Sequence, residues 1–135
     1  MANYCDNFLD IDGNYTEVKN FLKKLADDER EVCFANILPN FQDETGNTGG
    51  SSSDFHVNGV SFYTAYEPPL SFFEHVSKLY PKLTFTLSYF EEEMDLCGSM
   101  TFLNGDRIKI ITESYDSKFT REFYRDNVLY IEVEE

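Results

Sequence analysis

Val60-Ser61-Phe62-Tyr63-Thr64-Ala65-Tyr66-Glu67-Pro68-Pro69-Leu70 is the stretch that decides the fold. Its first seven residues are β-branched, aromatic or small, which suits a strand on a half-buried surface. Glu67-Pro68-Pro69 ends that strand. Pro69 fits at or near the first turn of a helix, where a missing N–H costs little. Leu70, Phe73, Val76, Leu79 and Tyr80 then recur at helical spacing and stop before Pro81. A strand that passes directly into a helix, with a change of period from 2 to 3.6, is half of an α+β unit.

Working outward, Tyr4 to Asp12 alternates loosely (Tyr4, Phe8 and Ile11 among polar residues) and closes at Asp12-Gly13-Asn14, so a short strand is predicted. Thr16 is a good N-cap for a first helix carrying Val18, Phe21, Leu22 and Leu25, with Lys19, Lys23 and Lys24 on its other face. That helix is predicted to end near Asp27 to Arg30, with an acidic last turn that opposes the helix dipole. Val32 to Leu38 is a short apolar run stopped by Pro39, readable as a strand or another helical turn. On the C-terminal side, Leu83, Phe85, Leu87 and Tyr89 share one face of a strand. That strand is predicted over Leu83 to Phe90. Leu96 to Leu103 follows an acidic turn, Asn104-Gly105 is a hairpin signal, and Arg107 to Glu113 returns. Thr120 to Asp126 reads as a short helix or an irregular piece, and Val128 to Val133 as an additional C-terminal strand.

This order predicts an α+β two-layer sandwich, an antiparallel sheet with two helices on one face. The length suits one domain over residues 1–135. Within it, residues 40–58 turn to Gly, Ser, Asn, Thr and Asp, and Thr45 to Ser53 is predicted to be a mobile loop. Its glycines make no phosphate-cradling motif, because no Gly-Lys-Ser/Thr follows them.

Asp and Glu number 25 against 11 Lys and Arg, and the net charge is −14. The excess runs through both halves, with 11 acids and 4 bases up to Val60. Such a field disfavours nucleic acid and anionic membrane and favours basic partners. At 41% hydrophobic residues the chain is too apolar for a disordered acidic tail. No apolar run approaches the ~20 residues of a membrane span, and no basic n-region opens the sequence, so a cytoplasmic location is expected. Three scattered cysteines (Cys5, Cys33, Cys97) do not suggest a disulfide framework.

Thr64-Ala65-Tyr66-Glu67-Pro68-Pro69, Tyr80-Pro81, Leu87-Ser88-Tyr89-Phe90-Glu91 and Asp95-Leu96-Cys97-Gly98, with the opening Ala2-Asn3-Tyr4-Cys5-Asp6-Asn7, resemble the Api-like family of phage and plasmid proteins. Tyr66 stands where that family usually has Trp. The resemblance spans about half the chain. It implies a ferredoxin-like fold and a mobile-element setting, and it brings no catalytic residues.

The densest acidic cluster is Glu91, Glu92, Glu93 and Asp95; a second is Asp27, Asp28, Glu29 and Glu31. Both are candidate partner-binding patches. Neither has the alternating ligands and central glycine of a Ca²⁺ loop, so no metal is assigned. His56 and His75 lack a second His or Cys at ligand spacing, and no base can be named for Cys97. No catalytic residue and no cofactor are therefore assigned. The aromatics between Phe62 and Phe90 have only Lys78 and Lys82 beside them, too few cations to hold phosphates, and read as core plus a protein-facing patch.

The expectation is a non-enzymatic phage or mobile-element protein, monomer or small homodimer. It would bind and inhibit a basic, nucleic-acid-binding host defence protein (of a CRISPR or restriction system) through an acidic, DNA-mimicking surface. The alternative is a small-ligand or structural oligomerisation module of a mobile element.

Overall fold

The computed structural model describes residues 4–91 and 96–113. The expected features at 92–95, 120–126 and 128–133 lie outside the described residues. Nine elements follow one another: β1 (Tyr4–Asp12), α1 (Tyr15–Leu25), a 3-10 turn (Phe34–Asn36), β2 (Ser51–Phe55), β3 (Gly59–Ala65), α2 (Leu70–Leu79), β4 (Thr84–Glu91), β5 (Leu96–Leu103) and β6 (Asp106–Glu113). The sheet order is β2-β3-β1-β4-β5-β6, antiparallel at every pairing. Its first four strands, with α1 and α2, form the split βαβ arrangement of a ferredoxin-like sandwich. β5 and β6 extend the sheet beyond β4.

β1 is the central strand, and its alternation differs from the loose apolar pattern. Cys5, Asn7, Leu9 and Ile11 are buried beneath the helices, whereas Tyr4 is exposed and Phe8 lies on the opposite face. The register shows why. Leu9 lies across from Val60 on one side and Leu87 on the other, and Ile11 lies across from Phe85. Gly59 sits where an added Cβ would collide with the Leu9 carbonyl, so close pairing of β3 with β1 requires glycine there.

α1 begins earlier than the sequence suggested. Asn14, not Thr16, keeps the extended backbone of an N-cap, and its Oδ1 accepts from the Glu17 N–H at 3.1 Å. The helix ends at Leu25, where Ala26 leaves the helical region and bridges to Val32. Asp27 supplies the reason. Its Oδ1 accepts from the N–H groups of Glu29 (2.8 Å) and Glu31 (2.9 Å), a local turn that competes with further helix. The last turn therefore carries Lys23 and Lys24, which suit the dipole, and not the acids.

The helices meet the sheet through a phenylalanine cluster. Phe21 of α1 packs edge-on against Phe85 of β4 at 5.2 Å, Phe72 stacks on Phe34 at 4.2 Å, and Phe73 is fully buried beside them. Such ring pairs add about 0.5–1.5 kcal/mol each to their area burial. Leu79, placed by periodicity on the buried side of α2, is exposed, while Ser77 is buried and accepts from the Gly105 N–H. The Asn104-Gly105 turn is present, with φ of 52° and 85° that fit a primed hairpin turn.

Residues 51–55 of the Gly/Ser-rich stretch form the edge strand β2. The preceding turn is tied down by side chains. Asp43 Oδ1 accepts from the N–H groups of Thr45 and Asn47. The Asn47 amide then accepts from the Ala65 N–H at 2.9 Å and donates to the Ala65 carbonyl at 3.0 Å, as a strand residue would.

Asn7 is the buried polar residue of β1. Its Nδ2 donates to Thr64 Oγ1 at 2.9 Å, and Thr64 Oγ1 donates to the Glu67 carbonyl at 2.7 Å. Thr64→Val keeps the shape and leaves both neighbours without this partner. The variant is expected to lose about 1–3 kcal/mol of stability, read as a lower urea midpoint with an unchanged m-value.

Candidate functional site

Of the first acidic patch that the sequence suggested, the structure describes only Glu91. Glu91 is not on a solvated turn. Strand alternation continues through Phe85, Leu87 and Tyr89, so Glu91, last in β4, falls on the helix-facing side and is 1% exposed. Its carboxylate is thereby removed from a surface patch. Glu92, Glu93 and Asp95 lie outside the described residues. In the second set, Asp27 is engaged by its own turn, and Glu31 Oε1 accepts from the Ser53 N–H at 2.7 Å, holding β2. Asp28 and Glu29 are exposed.

A different acidic surface is assembled by the sheet. The residues of β1 that alternate with its buried side chains are Tyr4, Asp6, Phe8, Asp10 and Asp12, all on the face away from the helices. Asp54 of β2 joins them, because it pairs with Ser61, which lies across from Phe8. Tyr63, opposite Asp6, brings its ring centroid to 6.3 Å from that of Tyr4. Asp10 and Asp12 are exposed, and Asn58 Nδ2 donates to Asp10 Oδ1 at 2.8 Å. Partial desolvation by the surrounding side chains, and then the neighbouring Asp12, pushes the Asp10 carboxyl above its usual pKa. The signal in the sequence is a set of acids at even spacing, Asp-x-Phe-x-Asp-x-Asp from Asp6 to Asp12. Apolar alternation alone, through Tyr4, Phe8 and Ile11, does not register these acids as one face.

A second cluster surrounds the corner after β3. Asp43, Glu44, Glu67, Ser71, Tyr89 and Arg107 are among the residues lining a cleft of about 330 Å³. Glu67 has its pKa raised, chiefly by burial and then by Asp43 and Glu44. Arg107 pairs with Glu74 at 3.2 Å. The corner itself is tight, with Tyr66 at φ 71°, a left-handed conformation that costs a bulky residue on the order of 1–3 kcal/mol.

Among the described residues, no three His, Cys, Asp or Glu side chains converge to hold a metal ion. His75 is exposed, with Nδ1 2.7 Å from the Ser71 carbonyl in its own helix, and His56 is exposed beyond the end of β2. Burial pushes the Cys5 thiol up to about 12, which makes it a poor nucleophile, and Cys97 is also buried. Of the mid-chain aromatics, Phe62, Phe72, Phe73, Phe85, Tyr89 and Phe90 are buried, while Tyr63 and Tyr66 are exposed. No helix among the described residues is long and apolar enough to cross a membrane.

The family model described as a ferredoxin-like domain in Api92-like protein matches residues 47–130. No curated protein matches the chain, and no solved structure does. The match starts at Asn47 and so omits β1 and α1. A fragment that starts at Asn47 lacks the strand between β3 and β4, and it is expected to show no cooperative thermal unfolding by circular dichroism. A sharp transition in that fragment would mean that β1 is dispensable.

The raised pKa of Glu67 gives a second expectation with a definite sign. The folded state binds this proton more tightly than the unfolded state does, so stability falls as pH rises from the ordinary carboxylate range through the raised value. Glu67→Gln removes that effect. It is expected to have a higher Tm than the parent at pH 7, with the gap closing as pH is lowered.

Proposed function

The chain belongs to the family of ferredoxin-like domains in Api92-like proteins, and on that premise we propose that it is a non-catalytic binding module. Its sheet face opposite α1 and α2 engages a basic partner protein. The observation that carries the reading is the series Asp6, Asp10 and Asp12 along one side of β1, flanked by the exposed rings of Tyr4 and Tyr63. Partial desolvation and Asp12 both disfavour the charge of Asp10, which nevertheless stands on this exposed face. Retaining a charge against stability is what a binding surface does.

The partner in this reading is a nucleic-acid-binding host protein of a restriction or CRISPR defence system. The chain occupies its basic groove and inhibits it, in the setting of a phage or other mobile element. Geometry limits how literal the mimicry is. A strand rises ~3.3 Å per residue, so Asp6 to Asp12 spans about 20 Å. Three carboxylates over that length give one charge per roughly 7 Å, against one per about 1.7 Å of duplex axis. The density is about a quarter of that of DNA. Electrostatic steering followed by aromatic contact is therefore favoured over a phosphate-for-carboxylate replica, with Tyr4 and Tyr63 as anchors.

The test is a pull-down from bacterial lysate with the tagged parent and with Asp10→Lys/Asp12→Lys, at low and high salt, read by mass spectrometry. A nucleic-acid-binding protein is expected with the parent at low salt, displaced by DNA, and with association on the order of tenfold slower for the variant. Recovery of the same proteins by parent and variant alike, or at both salt concentrations, would overturn the reading. Asp10→Asn/Asp12→Asn, which removes charge without adding repulsion, separates loss of binding from loss of fold.

A further inference from the structure

We infer that the groove between α1 and the tip of the β2–β3 hairpin is a second docking site of opposite sign, built for an acidic, apolar-containing segment of a partner protein. The groove encloses about 710 Å³. Leu22 and Phe55 contribute its apolar floor, Lys19 and Lys23 stand on one wall, and Arg30 lies with its guanidinium 5.6 Å from the Phe55 ring centroid. Val57, at the hairpin tip, is 73% exposed.

Three observations favour a partner over a merely solvated helix face. First, Lys19, Lys23 and Arg30 make no ion pair among the described residues, although acids outnumber bases 25 to 11 in the chain. Second, the helix dipole accounts for Lys23 and Lys24 in the last turn, but not for Lys19 or Arg30, and Lys24 does not line the groove. Third, the cations border apolar surface. Leu22 lies beneath them and exposed Val57 stands across from them, an arrangement that needs an occupant with both carboxylates and apolar side chains.

The spacing selects the occupant. Lys19 and Lys23 are separated by about 6 Å along the helix axis, so they suit carboxylates spread along a peptide and do not converge as a single phosphate requires. Asp27 and Asp28 also line the groove, so its lining carries three cations against two carboxylates, and Asp27 Oδ1 is already engaged by the Glu29 and Glu31 N–H groups. A second copy of this chain would bring another net charge of −14 against the first, which disfavours self-docking at low salt. With the acidic face of β1 on the other layer, the molecule could hold a basic and an acidic protein at once.

The probe is a short fluorescein-labelled peptide alternating Glu and Leu, titrated into the full chain and followed by fluorescence anisotropy. Glu–Gly and Lys–Leu peptides serve as counterparts. Saturable binding of the Glu–Leu peptide is expected, with affinity about tenfold weaker in Lys19→Glu/Lys23→Glu and several-fold weaker for the Glu–Gly peptide. Lys19→Gln/Lys23→Gln, which is milder to the helix, should give an intermediate loss. Lys19→Arg/Lys23→Arg should retain binding. Unchanged affinity in the charge-reversed variant, tighter binding of the Lys–Leu peptide, or no saturable binding would overturn the proposal. Displacement of the peptide by inorganic phosphate at equal ionic strength would replace it with a phosphate site. Dimerisation that is lost in Lys19→Glu/Lys23→Glu would replace it with a self-contact. Asp10→Asn/Asp12→Asn should bind the peptide as the parent does, so failure here and failure of the β1 interface are distinguishable.

Discussion

The Thr64 hydroxyl, between the Asn7 amide and the Glu67 carbonyl, is the contact on which this structure most depends. It joins the central strand to the corner from which α2 starts, through a side chain that is 2% exposed. A buried amide is tolerated only when it is hydrogen-bonded, and here it also specifies register. A slip of β1 by one residue would take Asn7 away from Thr64 and turn Asp6, Asp10 and Asp12 toward the helices. The same three aspartates therefore exclude the wrong pairing and form the face that we assign to a partner. Register and acidic surface are one constraint seen from two sides.

That constraint explains which parts were legible in the sequence. β5 was read with its observed ends, and β4 and β6 to within a residue, because the meander depends on short-range alternation and an Asn-Gly turn. The β3-to-α2 transition was legible for the same reason, since proline chemistry is local. The missed features were set by contacts far apart in the chain. Asn14 caps α1 because the backbone is extended there, whereas residue preference alone pointed to Thr16. β2 is a strand because β3 offers it an edge and because Asn47 and Glu31 hold its approach, not because Ser51-Ser52-Ser53 favours one. Glu91 looked like the start of an acidic turn, and only the length of β4 shows that alternation carries it inward.

The charges, too, are organised by layers rather than by runs. Clusters such as Asp27 to Glu31 drew notice in the sequence because they are contiguous, yet two of those carboxylates act as hydrogen-bond acceptors for backbone amides. The acids of β1 are never adjacent, yet they share one face of the sheet. α1 and its lysines lie on the other layer. A sandwich thus sorts by face charges that composition reports only as a sum, and a strongly negative chain can still present a locally cationic groove.

The extent of the family match bears on where specificity resides. Residues 47–130 include the corner at Thr64 to Pro69, α2 and the meander, which are the frame. Asp6, Asp10 and Asp12, and likewise Lys19, Lys23 and Arg30, all precede Asn47. The matched segment is nevertheless incomplete as a fold, since β3 and β4 are joined only through β1. The N-terminal third therefore has two roles that cannot be separated by truncation. It supplies the strand that closes the sheet, and it carries every charged residue on which the two proposed surfaces rest. Charge substitutions at positions of known exposure can divide those roles, because Asp10, Asp12, Lys19 and Lys23 lie on the surfaces we assign to partners without contributing to the core.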